Sequence, residues 1–159
     1  PGTPGLEHRV GGLEKLDGTG NISYDPLNHE AMVRLRAAKV EAVVEDVPDV
    51  VPAGDPDGDL LIVGWGSTAG AITAALRPAR ERGRRIGHVH LRHLNPLPKN
   101  LGEVMKRYRR VLVPELNLGQ LVWVLRAKYL VDAISCPKVQ GKPFKQSELE
   151  AKIDEILGR

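Results

Sequence analysis

The chain has 159 residues, of which 42% are hydrophobic and 27% charged, as expected for one globular domain. Its single cysteine, Cys136, excludes an internal disulfide, and it excludes an iron–sulfur cluster held by this chain alone because such clusters normally take four cysteine ligands. A net charge of +3 with 4% aromatic residues argues against nucleic acid as a partner, and no apolar run approaches the roughly 18 residues of a membrane span.

The first segment, residues 1–24, is rich in glycine and has no sustained hydrophobic period, so we interpret it as an extended arm or linker. It opens with PGTPGLEHRVGG and without an initiating Met, which we interpret as a linker inside a longer protein. Asp25 followed by Pro26 is a typical helix start, with Asp as the cap and Pro in the first turn. Residues 25–46 are therefore predicted to form a linking helix. Its expected apolar face carries Ala31, Leu35, Ala38 and Ala42.

From residue 47 onward the sequence changes character. Residues 47–59 contain three prolines and two glycines and are predicted to form a loop. Apolar strand-like runs then alternate with helical segments, which predicts an α/β domain at 47–159 with three layers, α/β/α, and a mostly parallel sheet of about five strands. The predicted strands are 60–63, 86–94, 111–113 and 132–135, and the predicted helices are 68–82, 101–108, 118–130 and 146–157.

The stretch 60–71, LLIVGWGSTAGA, raises the question of a nucleotide site, because glycines follow an apolar strand and precede a helix. In the dinucleotide fingerprint G-x-G-x-x-G the third glycine would come one residue before Gly70, and a carboxylate would lie about twenty residues further on, where this chain has none. The backbone of Gly66 and the hydroxyls of Ser67 and Thr68 could bind an anion or cap the helix. We favour the cap and keep Gly66, Ser67 and Thr68 as a candidate anion-binding site.

Histidines are concentrated in the run HVHLRH at 88–93, where His88, His90 and Arg92 share one face of the predicted strand and His93 points to the other. A metal site is disfavoured because a cation stands beside the imidazoles and no carboxylate or cysteine lies nearby in sequence. We interpret the run as a polar strand face that lies under a loop or against another subunit.

Two basic clusters lie at the ends of predicted helices, where cations offset the helix dipole, and we interpret them as solvated caps. Docking of an acidic protein or a phosphorylated ligand is the alternative. The clusters are Arg77, Arg80, Arg82, Arg84 and Arg85, and Lys106, Arg107, Arg109 and Arg110.

The serine of the glycine-rich turn, Ser67, does not sit in G-x-S-x-G, so no catalytic residue and no metal ligand is predicted in this chain.

Four blocks of the sequence carry a resemblance to a known family. They are LNPLP at 94–98, VLVPELNLGQL at 111–121, GLEHRVGG at 5–12 with the following His29, Met32, Arg36 and Lys39, and KVQGKPF at 138–144 with the following Glu148 and Leu149. Together they resemble the alpha subunit of 2-oxoacid:ferredoxin oxidoreductases, and more narrowly the 2-oxoglutarate type. The resemblance implies that the chain is the C-terminal, transketolase-C-like domain of such a subunit.

An enzyme of this family oxidatively decarboxylates a 2-oxoacid with coenzyme A, using thiamine diphosphate with Mg²⁺ and an iron–sulfur cluster, and it reduces ferredoxin. In the family the diphosphate-binding GDG motif and the cluster cysteines belong to the beta subunit, and this chain has Asp57-Gly58-Asp59 but no GDG. The resemblance therefore implies that this chain holds no cofactor and has no turnover alone. It implies as partners the N-terminal domain of the alpha subunit, the beta subunit and, through the whole enzyme, ferredoxin, all in the cytoplasm.

The block PELNLGQL, 114–121, places polar residues at a strand–helix turn. Pro114 is predicted to end the strand, Glu115 and Asn117 to lie in the loop, and Gln120 to open the helix. Such groups emerge at the C-terminal rim of the sheet, where α/β proteins present functional surfaces. We predict that Glu115, Asn117 and Gln120 hydrogen-bond to a neighbouring domain or subunit.

Three functions are compatible with these observations. The first is a structural and assembly domain of the oxidoreductase, which the resemblance favours. The second is a ligand role in the same enzyme, with the glycine-rich turn and arginines helping to hold coenzyme A. The third is an unrelated free-standing nucleotide-binding module, against which the misplaced third glycine and the missing carboxylate argue.

Overall fold

The computed structural model describes residues 2–7 and 10–158, which form two compact units. The first unit ends at Asp46 and the second begins at Val47, the position at which the sequence predicts the α/β domain to begin.

The first unit consists of the N-terminal arm and one helix, α1, Pro26–Ala42. The Asp25 carboxylate accepts the backbone N–H of Leu27 at 2.9 Å, so the helix begins at the Asp–Pro pair as predicted. A 3₁₀ turn, Val43–Asp46, follows where the sequence prediction continues the α-helix. No residue of α1 is buried, and Leu35 on its predicted apolar face is 52% exposed, so that face is open to solvent in this chain.

The arm is tied to α1 by Glu14. Its carboxylate accepts two hydrogen bonds from the Arg36 guanidinium at 3.1 Å and lies 2.9 Å from the Nδ1 of His29. The Arg36 hydrogen bonds lower the pKa of Glu14 to about 2. Two of the residues that carry the family resemblance, His29 and Arg36, therefore fix the arm against the helix.

The second unit is built around a five-stranded sheet in the order β1-β3-β2-β4-β5. β1 is antiparallel to β3, and the other neighbouring pairs are parallel. Helices cover both faces, which confirms the predicted α/β class with three layers and a mostly parallel sheet. The strands are β1 Ala53–Gly54, β2 Gly58–Trp65, β3 Ile86–Leu91, β4 Tyr108–Glu115 and β5 Ala133–Pro137, and the helices are α2 Ala69–Glu81, α3 Leu101–Lys106, α4 Gln120–Tyr129 and α5 Gln146–Leu157.

The core lies on both faces of β2, the central strand. Leu61 and Val63 pack against α3 and α4, whereas Leu60 and Ile62 pack on the other face against α2 and α5, and all of them are fully buried. This burial on both sides explains why β2 is a continuous apolar run and not an alternating one. It also fixes the C-terminal ends of the parallel strands relative to one another.

The predicted loop 47–59 contains β1 and the first residues of β2. The two-residue strand β1 is held by Arg80, whose guanidinium donates to the carbonyl oxygens of Ala53 at 2.6 Å and of Ile86 at 2.8 Å. Arg80 is therefore not a solvated cap, as the sequence suggested, but a link between the edge strand and β3. Because β1 is held by the side chain of a distant arginine, its own sequence has no hydrophobic pattern that would predict a strand.

The prediction that Pro114 ends its strand is wrong. Pro114 pairs with Cys136, and β4 continues to Glu115. A proline is tolerated there because the pairing of β4 with β2 ends at Leu112, so the missing N–H interrupts no bond on that side. Apart from β1, for which no strand is predicted, the strands and helices of the second unit begin and end within three residues of their predicted bounds.

Candidate functional site

The candidate functional site is the crevice between the C-terminal ends of β2 and β4. The chain passes from β2 to β3 on one side and then to β4 on the other, so the strand order reverses at this point. In open α/β sheets ligands bind outside the C-terminal ends of the strands at such a reversal. Trp65 ends β2 and Glu115 ends β4, which places the two predicted groups of functional residues on opposite sides of one crevice.

Glu115 is completely buried, and its carboxylate caps α4. Its Oε1 accepts the backbone N–H of Leu121 at 2.8 Å and its Oε2 accepts that of Val122 at 3.1 Å. These N–H groups belong to the first turn of the helix and have no partner within it, and the helix dipole also favours a negative charge there. A buried carboxylate is thus satisfied by backbone donors in place of water.

The crevice is closed by Trp65. Its indole Nε1–H donates to Glu115 Oε1 at 3.3 Å, and the side-chain amide of Asn117 donates to the same oxygen at 3.3 Å. With the N–H of Leu121, one carboxylate oxygen receives three donors from three segments of the chain. The Trp65 side chain thus bridges the crevice, and the Glu115 carboxylate at its floor is satisfied by donors of the chain itself.

The loop after Glu115 is ordered by its own residues. Asn117 Oδ1 accepts the N–H of Gly119 at 2.7 Å and that of Gln120 at 3.1 Å, which is an Asx turn. Gly119 has φ 91°, and a Cβ there would lie 2.8 Å from the Ser135 Oγ, so both its backbone conformation and its surroundings favour glycine.

Only part of the predicted interface faces solvent. Glu115 has no exposed surface, so its hydrogen bonds are made within the chain and it supports the loop from inside. Asn117 is half-buried and Gln120 is exposed, and between them Leu118 is 80% exposed. A contact of Asn117 and Gln120 with a neighbouring domain stays a prediction, and Leu118 joins them as the apolar residue of the same loop.

On the other side of the crevice, Gly66, Ser67 and Thr68 form one 3₁₀ turn before α2. The Thr68 hydroxyl donates to the carbonyl of Trp65 at 2.8 Å and accepts its N–H at 3.1 Å. Thr68 is thus buried and bonds backward to the strand, so it closes the turn and does not cap α2. Gly66 and Ser67 are exposed, and anion binding by this turn stays a prediction.

The histidine run lies partly inside the fold. His88 is 6% exposed, and burial, followed by the charges of His90 and Arg80, lowers its pKa to about 4. His88 Nε2 and His90 Nδ1 are buried without a hydrogen-bond partner in the described part of the chain. No cluster of three or more His, Cys, Asp or Glu residues able to hold a metal occurs within residues 2–7 and 10–158.

Sequence reasoning missed two residues that organise this rim. The sequence alone gives no role to Trp65, and it gives Lys138 only a place in the block KVQGKPF. The Lys138 ammonium is buried against the Glu148 carboxylate at 2.6 Å and the Pro143 carbonyl at 2.9 Å, and its backbone N–H donates to the Glu115 carbonyl at 2.8 Å. The blocks PELNLGQL and KVQGKPF are therefore joined in space. A lysine and a glutamate ten residues apart give no sequence signal of such a pair.

Comparison with known proteins identifies the family to which the chain belongs. A profile of the family described as pyruvate:ferredoxin oxidoreductase core domain II matches residues 58–138, about half of the chain, and takes in both sides of the crevice. The chain belongs to this family. The resemblance that the sequence blocks carry, to alpha subunits of 2-oxoacid:ferredoxin oxidoreductases, is thereby confirmed.

Curated relatives and a solved structure agree with this assignment. The chain is 58% identical over 151 residues to the 2-oxoglutarate oxidoreductase subunit KorA of Mycobacterium tuberculosis, a match that covers 94% of this chain and 23% of that protein. It is 39% identical over 114 residues to subunit alpha of 2-oxoacid:ferredoxin oxidoreductase 1 of Aeropyrum pernix, covering 67% of this chain and 18% of that protein.

The structure is similar to that of 2-oxoglutarate:ferredoxin oxidoreductase from Magnetococcus marinus with 2-oxoglutarate, coenzyme A and succinyl-CoA bound. The TM-score is 0.86 at 30% identity, over 98% of this chain and 27% of that one. The chain thus spans between 18% and 27% of the length of these relatives. No helix in the described part of the chain is both long and apolar enough to cross a membrane.

Proposed function

We propose that this chain is the C-terminal, transketolase-C-like domain of the alpha subunit of a 2-oxoglutarate:ferredoxin oxidoreductase, and that its role is structural and in assembly. The observation that carries the proposal is the closed crevice between Trp65 and Glu115, in which the polar groups of the family blocks bond to one another. The 58% identity to a 2-oxoglutarate oxidoreductase subunit supports 2-oxoglutarate as the substrate of the whole enzyme.

The whole enzyme would decarboxylate a 2-oxoacid oxidatively to its acyl-CoA and reduce ferredoxin, with thiamine diphosphate, Mg²⁺ and an iron–sulfur cluster. The residues described here do not fit these groups. The Thr68 hydroxyl and the Glu115 carboxylate at the strand ends are already bonded within the chain, and the chain has one cysteine. We therefore assign these cofactors to other parts of the enzyme and derive no chemical step from this domain.

The partners that follow from this role are the N-terminal domain of the alpha subunit and the beta subunit, with ferredoxin reached only through the assembled enzyme in the cytoplasm. The relatives are named as subunits, which supports a chain that works in a complex. The exposed Leu118 and Gln120, presented on a loop that Asn117 and Glu115 hold rigid, are the contact surface that we propose.

The test is the double variant Leu118→Glu/Gln120→Ala in the full-length alpha subunit, produced together with its beta subunit. We expect less complex on size-exclusion chromatography and a parallel fall in 2-oxoglutarate-dependent ferredoxin reduction. Thr73→Ala, an exposed change on α2, is the control and should leave both unchanged. Normal assembly with full activity in the double variant would contradict the proposed surface.

A ligand role in the same enzyme is the second candidate. It is favoured by the related structure described with coenzyme A bound, and by Gly66 and Ser67, whose turn is exposed at the strand ends. The test is the thermal midpoint of the chain with coenzyme A, since a ligand at a hundred times its Kd adds about 2.7 kcal/mol of stability. A shift that Ser67→Ala reduces would support this role, and no shift would leave the structural one. Membership of the family counts against a free-standing nucleotide-binding module.

A further inference from the structure

A second feature of the α/β unit is a cavity of about 200 Å³ at the C-terminal end of β3. One wall is the segment 48–51, and the other is the end of β3 with the residues that follow it. The cavity lies on the far side of β3 from the closed crevice, and the function proposed above does not use it.

The wall opposite β3 is held in place by Asn100. Its side-chain oxygen accepts the N–H of Val50 at 2.9 Å, and its amide donates to the carbonyl of Val50 at 2.8 Å. Both backbone groups of Val50 are thereby bonded to a side chain and not to the edge of β3, which β1 pairs only at Ala53 and Gly54. The space between segment 48–51 and the strand is therefore a built part of the fold.

His90 lines this cavity in a fixed position. It lies opposite Gly64 in the sheet, where a Cβ would come within 3.3 Å of the His90 Nδ1 and 2.4 Å of the Ile72 Cδ1, so the glycine makes room for the ring. The Nδ1 is buried and has no hydrogen-bond partner among the described residues. The Nδ1 is turned toward Gly64 and Ile72 on the α2 face of the sheet, so a ligand in the cavity would meet the opposite, Nε2 edge of the ring.

Two further polar side chains, those of Arg92 and His93, are exposed at the mouth of the cavity, and Asp49 stands on the opposite wall. Within the described residues Arg92 forms no ion pair with a carboxylate, whereas Arg82 pairs with Asp154. A guanidinium presents a planar fork of donors that matches the oxygens of a carboxylate or a phosphate. The rest of the lining is apolar, mainly valine and proline.

We propose that this cavity binds the oxyanion group of a small molecule, a phosphate or a carboxylate, with Arg92 as the charged contact and His90 and His93 as hydrogen-bond donors. Val50, Val51 and Val89 contact the carbon part of the ligand. The volume lies below the roughly 300–1,000 Å³ of sites for drug-sized molecules, so only a small ligand or one end of a larger one enters. The site is independent of the function proposed above.

The test follows the imidazole C2–H resonances of the 159-residue chain by NMR at constant pH. Inorganic phosphate and succinate are titrated separately, with sodium chloride of equal ionic strength as the reference. We expect saturable shifts of the His90 and His93 resonances, assigned from His→Gln variants, while that of His29 in the other unit stays in place. A response to phosphate alone identifies a phosphate ligand, and a response to succinate alone identifies a carboxylate.

Two variants decide whether the cavity is responsible. Arg92→Gln should weaken binding by about tenfold or more, because it removes a charged hydrogen-bond donor, whereas Lys128→Gln, which removes an exposed cation on α4, should leave it unchanged. Asp49→Asn should strengthen binding because it removes a like charge from the opposite wall. The proposal is overturned if neither anion shifts His90 or His93 beyond the chloride reference, if Arg92→Gln binds as the parent does, or if Asp49→Asn binds more weakly. None of these readouts involves turnover or subunit assembly, so the outcome is separate from that of the assembly test.

Discussion

The indole Nε1–H of Trp65 donates to the Glu115 Oε1 at 3.3 Å, and this hydrogen bond joins the C-terminal ends of the two central strands. The same carboxylate accepts the N–H groups of Leu121 and Val122 in the first turn of α4. A completely buried charge is costly unless it is paired or hydrogen-bonded, and here donors from Trp65, from Asn117 and from the first turn of α4 satisfy it. Glu115 therefore couples β2, β4 and α4 at the point where related folds bind ligands.

Replacing Glu115 by Gln is expected to lower the free energy of unfolding by about 2 kcal/mol. The amide removes the negative charge and turns one acceptor into a donor that faces a backbone N–H. Urea unfolding of the chain, followed by circular dichroism, measures the change as a lower midpoint with an unaltered slope.

Glu103→Gln is the matched control for this variant, because Glu103 is exposed and pairs with Lys106 on the surface of α3. Its unfolding midpoint should equal that of the parent. Equal midpoints for Glu115→Gln and the parent would mean that the buried carboxylate contributes nothing to the fold.

Gly119→Ala is expected to destabilise the chain by about 1–2 kcal/mol, since φ 91° places an L-residue in the left-handed region. The added Cβ would also lie 2.8 Å from the Ser135 Oγ, but Ser135 is exposed and its hydroxyl can rotate away. We therefore expect most of the loss to persist when Ser135→Ala is added. A double-mutant cycle in urea separates the two contributions.

Gly70→Ala is expected to raise the stability of the chain, whereas Gly119→Ala is expected to lower it. Gly70 is exposed within α2 and a Cβ there meets no heavy atom within 4 Å, so the change should stabilise the chain by up to about 1 kcal/mol.

The double-mutant cycle at Gly119 and Ser135 also has an outcome that would contradict the prediction. If Ser135→Ala restored the stability of the Gly119→Ala variant completely, the loss would come from the steric contact with Ser135 and the argument from the φ of Gly119 would be wrong.

The sheet and its helices could be predicted from sequence because burial on both faces forces β2 to be a continuous apolar run between two turn-rich segments. The role of Glu115 could not. A glutamate that follows a strand in sequence is expected to be exposed, and its burial depends on Trp65, fifty residues away, and on the first turn of a helix that begins five residues later. Such tertiary coupling has no local period or spacing.

The edge strand β1 and the cavity beside it escaped prediction for a related reason. Both depend on single distant side chains, Arg80 donating to the Ala53 carbonyl and Asn100 bonding both backbone groups of Val50. Family resemblance, in contrast, pointed to the right surroundings, because its blocks at 111–121 and 138–144 meet at the same rim of the sheet. It gave no indication of which residues in those blocks are buried.

His88 is expected to make stability fall as the pH is lowered. Burial, and then the charges of His90 and Arg80, lowers its pKa in the folded state to about 4, below the ordinary value of 6.5. Below pH 6.5 the unfolded chain therefore takes up a proton that the folded chain does not, so the stabilisation present at neutral pH is lost on acidification. The loss amounts to about 2 kcal/mol between pH 7 and pH 5.

Urea midpoints measured from pH 7 to pH 5 check this expectation. His88→Leu should flatten the dependence, whereas His93→Gln, which changes an exposed residue, should leave the curve parallel to that of the parent. An equally steep curve for His88→Leu would assign the pH dependence to another group.

Lys138→Met is expected to destabilise the chain by about 2 kcal/mol at neutral pH, because the buried ammonium bonds the Glu148 carboxylate and the Pro143 carbonyl. The Lys138 hydrogen bond, followed by that of the Lys145 N–H, lowers the pKa of Glu148 below its ordinary 4.5. The contribution of the pair is thus present above pH 4.5 and is lost as the pH falls through the lower pKa of the folded state. The difference in the free energy of unfolding between variant and parent should therefore shrink in acid.

Lys106→Met, which removes an exposed ammonium 2.8 Å from Glu103, is the control and should change little at any pH. A Lys138→Met defect that stayed constant down to pH 3 would assign the loss to packing against Phe144 and not to the ion pair.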